Sequence, residues 1–264
     1  MALRVPLGQF VPGDSAIHRL EPRVKLSFGI AYALMLFAAG NWRVMAAAAV
    51  FMVVAVVLSS VPWRLTARGL APIVWLLALT FVLNSLTWGS ADELYRMGPV
   101  AVSASGVGRG AFFVARVSLL VLGTSLVTLT TSPVALTDAL SQLMRPLRHV
   151  GVPVDDVAMM FSIALRFIPT TAEEADRIVT AQSARGARFD EGGPIRRAKA
   201  WLPVLVPLFV NLFRRADNLA VAMESRCYIG VGRTRLHDRR MRAVDWTVLV
   251  LGVTSMAAAA ILLS

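Results

Sequence analysis

Leu70–Trp88, Ala111–Thr130 and Val244–Leu263 are long runs of almost uninterrupted apolar side chain. No other feature of this chain narrows its fold as far. A helical run of about 20 apolar residues matches the roughly 30 Å hydrocarbon core of a bilayer. Inside lipid every backbone N–H and C=O needs an internal partner, so only helices and closed barrels cross it. Val44–Val61 is a further run, and Leu26–Ala39 is a shorter one. The composition agrees: 56% of the 264 residues are hydrophobic, against about 45–50% apolar in globular chains. The expectation is an all-α integral membrane protein with about five transmembrane helices. Asn84 and Arg116 are polar residues inside those runs, and a charge at that depth normally faces protein or water.

Charge then orients the spans. Arg4, Arg19, Arg23 and Lys25 precede the first run, which places the N-terminus in the cytoplasm by the positive-inside rule. No apolar stretch precedes residue 26, so no secretory signal peptide is expected. Gly40–Arg43 turns outside, Pro62–Arg68 returns inside, and residues 89–110 lie outside as a short hairpin or re-entrant piece. Residues 1–130 thus hold the N-terminal segment and four spans, and 244–264 the last span. Between them, 131–243 carries most of the basic residues and reads as a cytoplasmic, membrane-interface helical domain.

Within that domain Ser132–Pro133 caps a helix running to about Leu147. Asp155 and Asp156 suit a helix start after Pro153. Val154–Ile168 is apolar, and Pro169 is expected to end it. Thr171 and Glu174 form a capping-box pattern for a new helix, Ala172–Arg185, closed by Gly186. Ala200–Phe213 contains Pro203 and Pro207, which imply a kink, and Arg214–Cys227 forms a further helix with an Arg214–Asp217 pair. Arg166 either pairs with an acid or snorkels from a helix end.

Catalytic signatures are missing. There is no phosphate-binding loop before Lys25 or Lys199, the only lysines, and no nucleophile elbow. Gly106–Gly110, GVGRG, follows no strand and reads as a turn rather than a phosphate site. His18, His149 and His237 are scattered, and Cys227 is the single cysteine. No metal, no cofactor and no enzymatic role are expected. The net charge of +11 suits cytoplasmic loops facing anionic lipid better than nucleic acid in such a chain.

Two helix ends share one pattern. The first runs through Ala181 and Ala184–Arg185–Gly186, and the second through Ala222 and Ser225–Arg226–Cys227. Each offers a face with little side-chain bulk and one guanidinium. Such an end can enter a groove, where the arginine meets a carboxylate or caps carbonyls. An ordinary solvated helix end also favours arginine there. Glu224 is a candidate to orient Arg226.

The stretches TTSPVALTDAL, ALRFIPTTAEEADRIVTAQSARGARFD and LVPLFVNLFRRADNLAVAMESRCYIGVGRTRL resemble the T component, the transmembrane coupling subunit, of energy-coupling factor (ECF) transporters. The resemblance covers roughly residues 109–242; the N-terminal spans match in hydropathy alone. It implies a non-catalytic subunit of bacterial or archaeal vitamin or metal-ion importers. Two coupling helices would cross beneath the membrane and end in Ala-Arg-Gly motifs that fit grooves of two ATP-binding cassette ATPases. A separate membrane protein, the S component, would bind the substrate. The first motif is Ala184–Arg185–Gly186; in the second, Ser225–Arg226–Cys227, only the arginine is kept. Ala46–Ala49 and Ala257–Ala260 would permit close helix contact. Rival readings are a T subunit dedicated to one metal-ion importer, a membrane enzyme holding phosphorylated lipid, and a basic anchor on anionic lipid.

Overall fold

The computed structural model describes residues 10–87, 93–97, 100–189, 191–228 and 242–262. In chain order its helices are α1 (Ala16–Arg19), α2 (Pro22–Ala38), α3 (Trp42–Ser59), α4 (Trp63–Arg68), α5 (Val74–Ser85), α6 (Ala104–Thr130), α7 (Pro133–Leu143), α8 (Val154–Ala184), α9 (Pro194–Glu224) and α10 (Ala243–Leu262). The strands β1 (Leu86–Thr87), β2 (Glu93–Met97) and β3 (Val100–Ser103) form one small antiparallel sheet in the order β1-β3-β2. The chain divides into two units, Gly8–Leu140 with Arg239–Ser264, and Ser141–Asp238 with Met1–Leu7. The fold is that of an all-α membrane protein with this one hairpin-based sheet in the predicted 89–110 region.

In the first unit, three helical stretches are long and apolar enough to cross a membrane: Trp42–Ser59, Trp63–Ser85 and Ala104–Thr130. The middle one joins α4 and α5 through a 3₁₀ turn at Ala71–Ile73. The apolar part of α10, Asp245–Ile261, and the 17-residue α2 are shorter. The five predicted runs therefore all appear as helices, three of them at full spanning length. Leu36, Val44, Met45, Ala48, Met52, Leu126 and Met256 bring α2, α3, α6 and α10 onto one core. Outside it, Trp75, Val57 and Leu83 are exposed apolar side chains, as on a lipid-facing surface.

The polar residues among the spans are used internally. Arg116 donates to the Ala39 carbonyl at the C-terminus of α2 and lies 4.8 Å over the Phe112 ring. Lys25 is buried and donates to the Thr130 carbonyl at 2.8 Å, at the C-terminus of α6. Each cation thus caps the negative end of a neighbouring helix. Asn84 donates to Thr80 O at 2.8 Å within α5.

Gly106–Gly110 is not a turn. It lies in the first turns of α6, where the Ser103 side chain accepts from the Gly106 N–H at 2.9 Å as N-cap. The glycines are there for close approach. A Cβ on Gly106 would stand 2.7 Å from Asn84 O, and one on Gly110 3.1 Å from Phe81 O. α5 and α6 therefore pack backbone to backbone through a small-xxx-small face.

α7, at the boundary of the two units, begins as expected, with the Ala135 N–H on Ser132 Oγ at 3.3 Å. It stops at Leu143, and Arg145–Val150 is 3₁₀, because Pro146 disfavours the helical conformation at Arg145. Two larger expectations fail. Pro169 does not divide a helix, and α8 runs unbroken through it for 31 residues. Likewise Arg214 does not open a separate helix: α9 is one 31-residue helix that includes Pro203 and Pro207. An internal proline removes one hydrogen bond, whereas ending a helix requires a second costly nucleation. With both helices packed against each other, continuity wins. Residues 229–241, with His237 and most of the basic tail, lie outside the described residues.

Candidate functional site

Thr171 caps nothing in this arrangement, and Glu174 does not reach back to it. The Glu174 carboxylate instead crosses to α9. Its Oε1 accepts from Asn211 Nδ2 at 2.7 Å and its Oε2 from Arg215 Nη2 at 3.2 Å. Arg215 Nη1 donates to Thr170 Oγ1 at 3.0 Å, and the guanidinium lies 5.6 Å over Phe167. Further along, Gln182 Nε2 donates to the Pro203 carbonyl at 3.4 Å. Residue 174 thus opposes 211 and 182 opposes 203, so the helices run antiparallel. Sequence reasoning paired Arg214 with Asp217; both are exposed and no such ion pair forms. The partner was Arg215, and the signal was its spacing of four from Asn211 on one helix face.

The candidate ends close this pair. At the end of α8 the Gly186 N–H donates to Ser183 O and the Ala187 N–H to Gln182 O, both at 3.0 Å. Gly186 has φ +86°. This is a Schellman closure with glycine in the left-handed position. At the end of α9 the Cys227 N–H donates to Glu224 O at 2.9 Å and the Tyr228 N–H to Met223 O at 3.0 Å. Cys227 has φ +55°. The two closures are the same, and Arg185 and Arg226 hold the same place, one residue before the left-handed residue. The missing glycine has not changed the geometry of the second end.

All six residues, Ala184, Arg185, Gly186, Ser225, Arg226 and Cys227, are exposed. Ala181 and Ala222, one turn back, are exposed too. Among the described residues neither guanidinium has an ion pair or side-chain hydrogen bond, and Glu224 does not hold Arg226. A glutamate two positions before an arginine points to another face of the helix. Ser225 Oγ donates back to Ala222 O at 3.0 Å, and Cys227 is a free thiol. Arg166 is exposed and joins no acid among the described residues. The antiparallel packing keeps Arg185 and Arg226 apart. The former ends α8 opposite the start of α9, and the latter lies some 26 residues further along α9, roughly 40 Å at 1.5 Å per residue.

The chain matches the family model described as CbiQ, cobalt transport protein, over residues 13–237. It belongs to that family. Among the curated proteins it resembles is the energy-coupling factor transporter transmembrane protein EcfT of Thermosediminibacter oceani, 46% identical over 93% of each chain. The EcfT proteins of Thermanaerovibrio acidaminovorans, 43% identical over 96% of this chain and 94% of the relative, and of Brevibacillus brevis, 44% identical over 96% of both, are equally full-length matches. The CbiQ-family match includes both helix ends and the whole α8–α9 pair. Among the described residues no group of His, Cys, Asp and Glu is placed to hold a metal ion. His18 is engaged with Ser15 Oγ at 2.7 Å and Val11 O at 3.0 Å.

Proposed function

We propose that this chain is the transmembrane coupling subunit of an ECF-type importer for a vitamin or a metal ion, passing ATP-driven motion from partner ATPases to a substrate-binding S component. The observation that supports this most is the matched pair of helix ends. Two exposed arginines, each free of side-chain partners among the described residues, stand at identical Schellman closures at the far ends of one antiparallel pair. A solvated helix end explains one such arginine. It does not explain two identical closures when the second has a non-glycine residue held at positive φ, a conformation costing about 1–2 kcal/mol.

In this reading residues 131–243 lie on the cytoplasmic side of a bacterial or archaeal cell membrane. Residues 1–130 and 244–264 carry the spans, and the N-terminus is inside. Ala184–Arg185–Gly186 docks one ATP-binding cassette ATPase and Ser225–Arg226–Cys227 the other. The small residues let the helix end enter a groove, and the guanidinium forms charge-assisted hydrogen bonds there. ATP is hydrolysed in the partners; this chain contributes no catalytic group, cofactor or nucleic-acid contact.

The test is co-purification from membranes in mild detergent of the tagged wild type beside Arg185→Glu and Arg226→Glu. ATPase subunits are expected with the wild type and lost with the reversals. If none accompany the wild type, and binding to anionic vesicles weakens broadly with salt instead, the chain is a lipid anchor and the coupling role is wrong.

A further inference from the structure

Both long helices carry prolines where a lever would be expected to bend. Pro169 removes the hydrogen bond to the Leu165 carbonyl in α8, and Pro207 removes the one to the Pro203 carbonyl in α9. Sharp kinks in helices form at such sites. Contacts from the partner helix lie near both places in sequence. Arg215 of α9 engages Phe167, Thr170 and Glu174, which share one face of α8 to either side of Pro169 along the chain. Gln182 of α8 donates to the very carbonyl, Pro203 O, that Pro207 leaves without a helical donor.

The two contacts are also separated. Glu174 and Gln182 are eight residues apart, roughly 12 Å along α8 at 1.5 Å per residue. One contact between crossed helices permits pivoting; two at that spacing fix the angle. The first contact is well made. Arg215 and Glu174 have side-chain exposures of 35% and 21%. Thr170 Oγ1 also donates to Phe167 O at 2.9 Å, and both Glu174 oxygens accept. A half-buried arginine stacked on a ring and bonded to two different side chains holds its geometry far better than an exposed ion pair.

We propose that Arg215 is a positioning residue that locks α8 to α9, with Gln182 as the second fixing point, so that the two arginine ends move as one rigid lever instead of as scissor blades. This deepens the coupling reading and rests on it for its purpose. The lock itself is a property of the chain alone.

The test is double electron–electron resonance on the full chain in nanodiscs. Spin labels are placed at Ser183→Cys and Ala220→Cys, both exposed positions, in a Cys227→Ser background. One narrow distance peak is expected, unchanged when co-purified ATPases are cycled between ATP-bound and nucleotide-free states. Arg215→Ala and Glu174→Gln should each lose the narrow peak, and the swap Glu174→Arg with Arg215→Glu should recover much of it. ATPase co-purification, measured on unlabelled chains that keep Ser183, Ala220 and Cys227, should survive all three, because none of these changes lies at a docking end; a loss of packing throughout the unit would abolish it. A wild-type distance that shifts with nucleotide, or a narrow peak that persists in Arg215→Ala, overturns the proposal. If the wild type binds no ATPase, the coupling reading fails, while the nucleotide-free distances still decide whether the lock exists.

Discussion

Cys227 is a non-glycine residue in the left-handed region, and its φ of +55° matches the role Gly186 plays at +86°. A side chain there costs about 1–2 kcal/mol. Cys227→Gly should therefore stabilise the end of α9, and Gly186→Ala should destabilise the end of α8 by a similar amount. The second change is purely conformational, since a Cβ on Gly186 meets nothing within 4 Å. Hydrogen–deuterium exchange of the last helical turns reads both, with slower exchange expected in the first variant and faster in the second. Arg185 and its cap were legible because Gly186 announces a helix end. The end at Arg226 was legible only as a pattern, since nothing in Ser-Arg-Cys shows that cysteine will take a positive φ. Glu174 was misread: a threonine three residues before a glutamate is a capping box only if a helix starts there, and α8 had started at Val154.

At the scale of elements, periodicity and run length located the long helices but not the short α1 and α4, while proline misplaced the boundaries. Pro169 suggested a break and Arg214 a fresh helix start, and neither occurs, because the tertiary pairing of α8 with α9 outweighs a local preference. The glycines of α6 show the opposite case. GVGRG carried no local sign that it packs on α5, since the close approach involves carbonyls of Phe81 and Asn84, over twenty positions away. Two substitutions separate packing from propensity. Gly106→Ala should lower the thermal stability of the detergent-solubilised protein, because its Cβ would meet Asn84 O at 2.7 Å. Gly108→Ala meets nothing within 4 Å and should raise it, by up to about 1 kcal/mol from helix propensity. Equal effects from the two would mean that α5 and α6 are not in close contact there.

At the scale of the whole molecule, the chain joins a unit of apolar helices to a unit built on two long antiparallel ones. Membrane character was plain from the runs, because lipid demands length and apolarity at every position. The pairing of α8 with α9 was hidden, because Glu174 and Arg215 are 41 residues apart and read singly as surface charges. In the proposed function the two ends of this pair are equivalent docking points for two ATPase subunits. Native mass spectrometry of the complex purified from membranes counts those subunits. The wild type should carry two ATPase subunits, and the Arg185→Glu, Arg226→Glu double variant none, with its helix content unchanged. Two subunits retained on the folded double variant would contradict the claim.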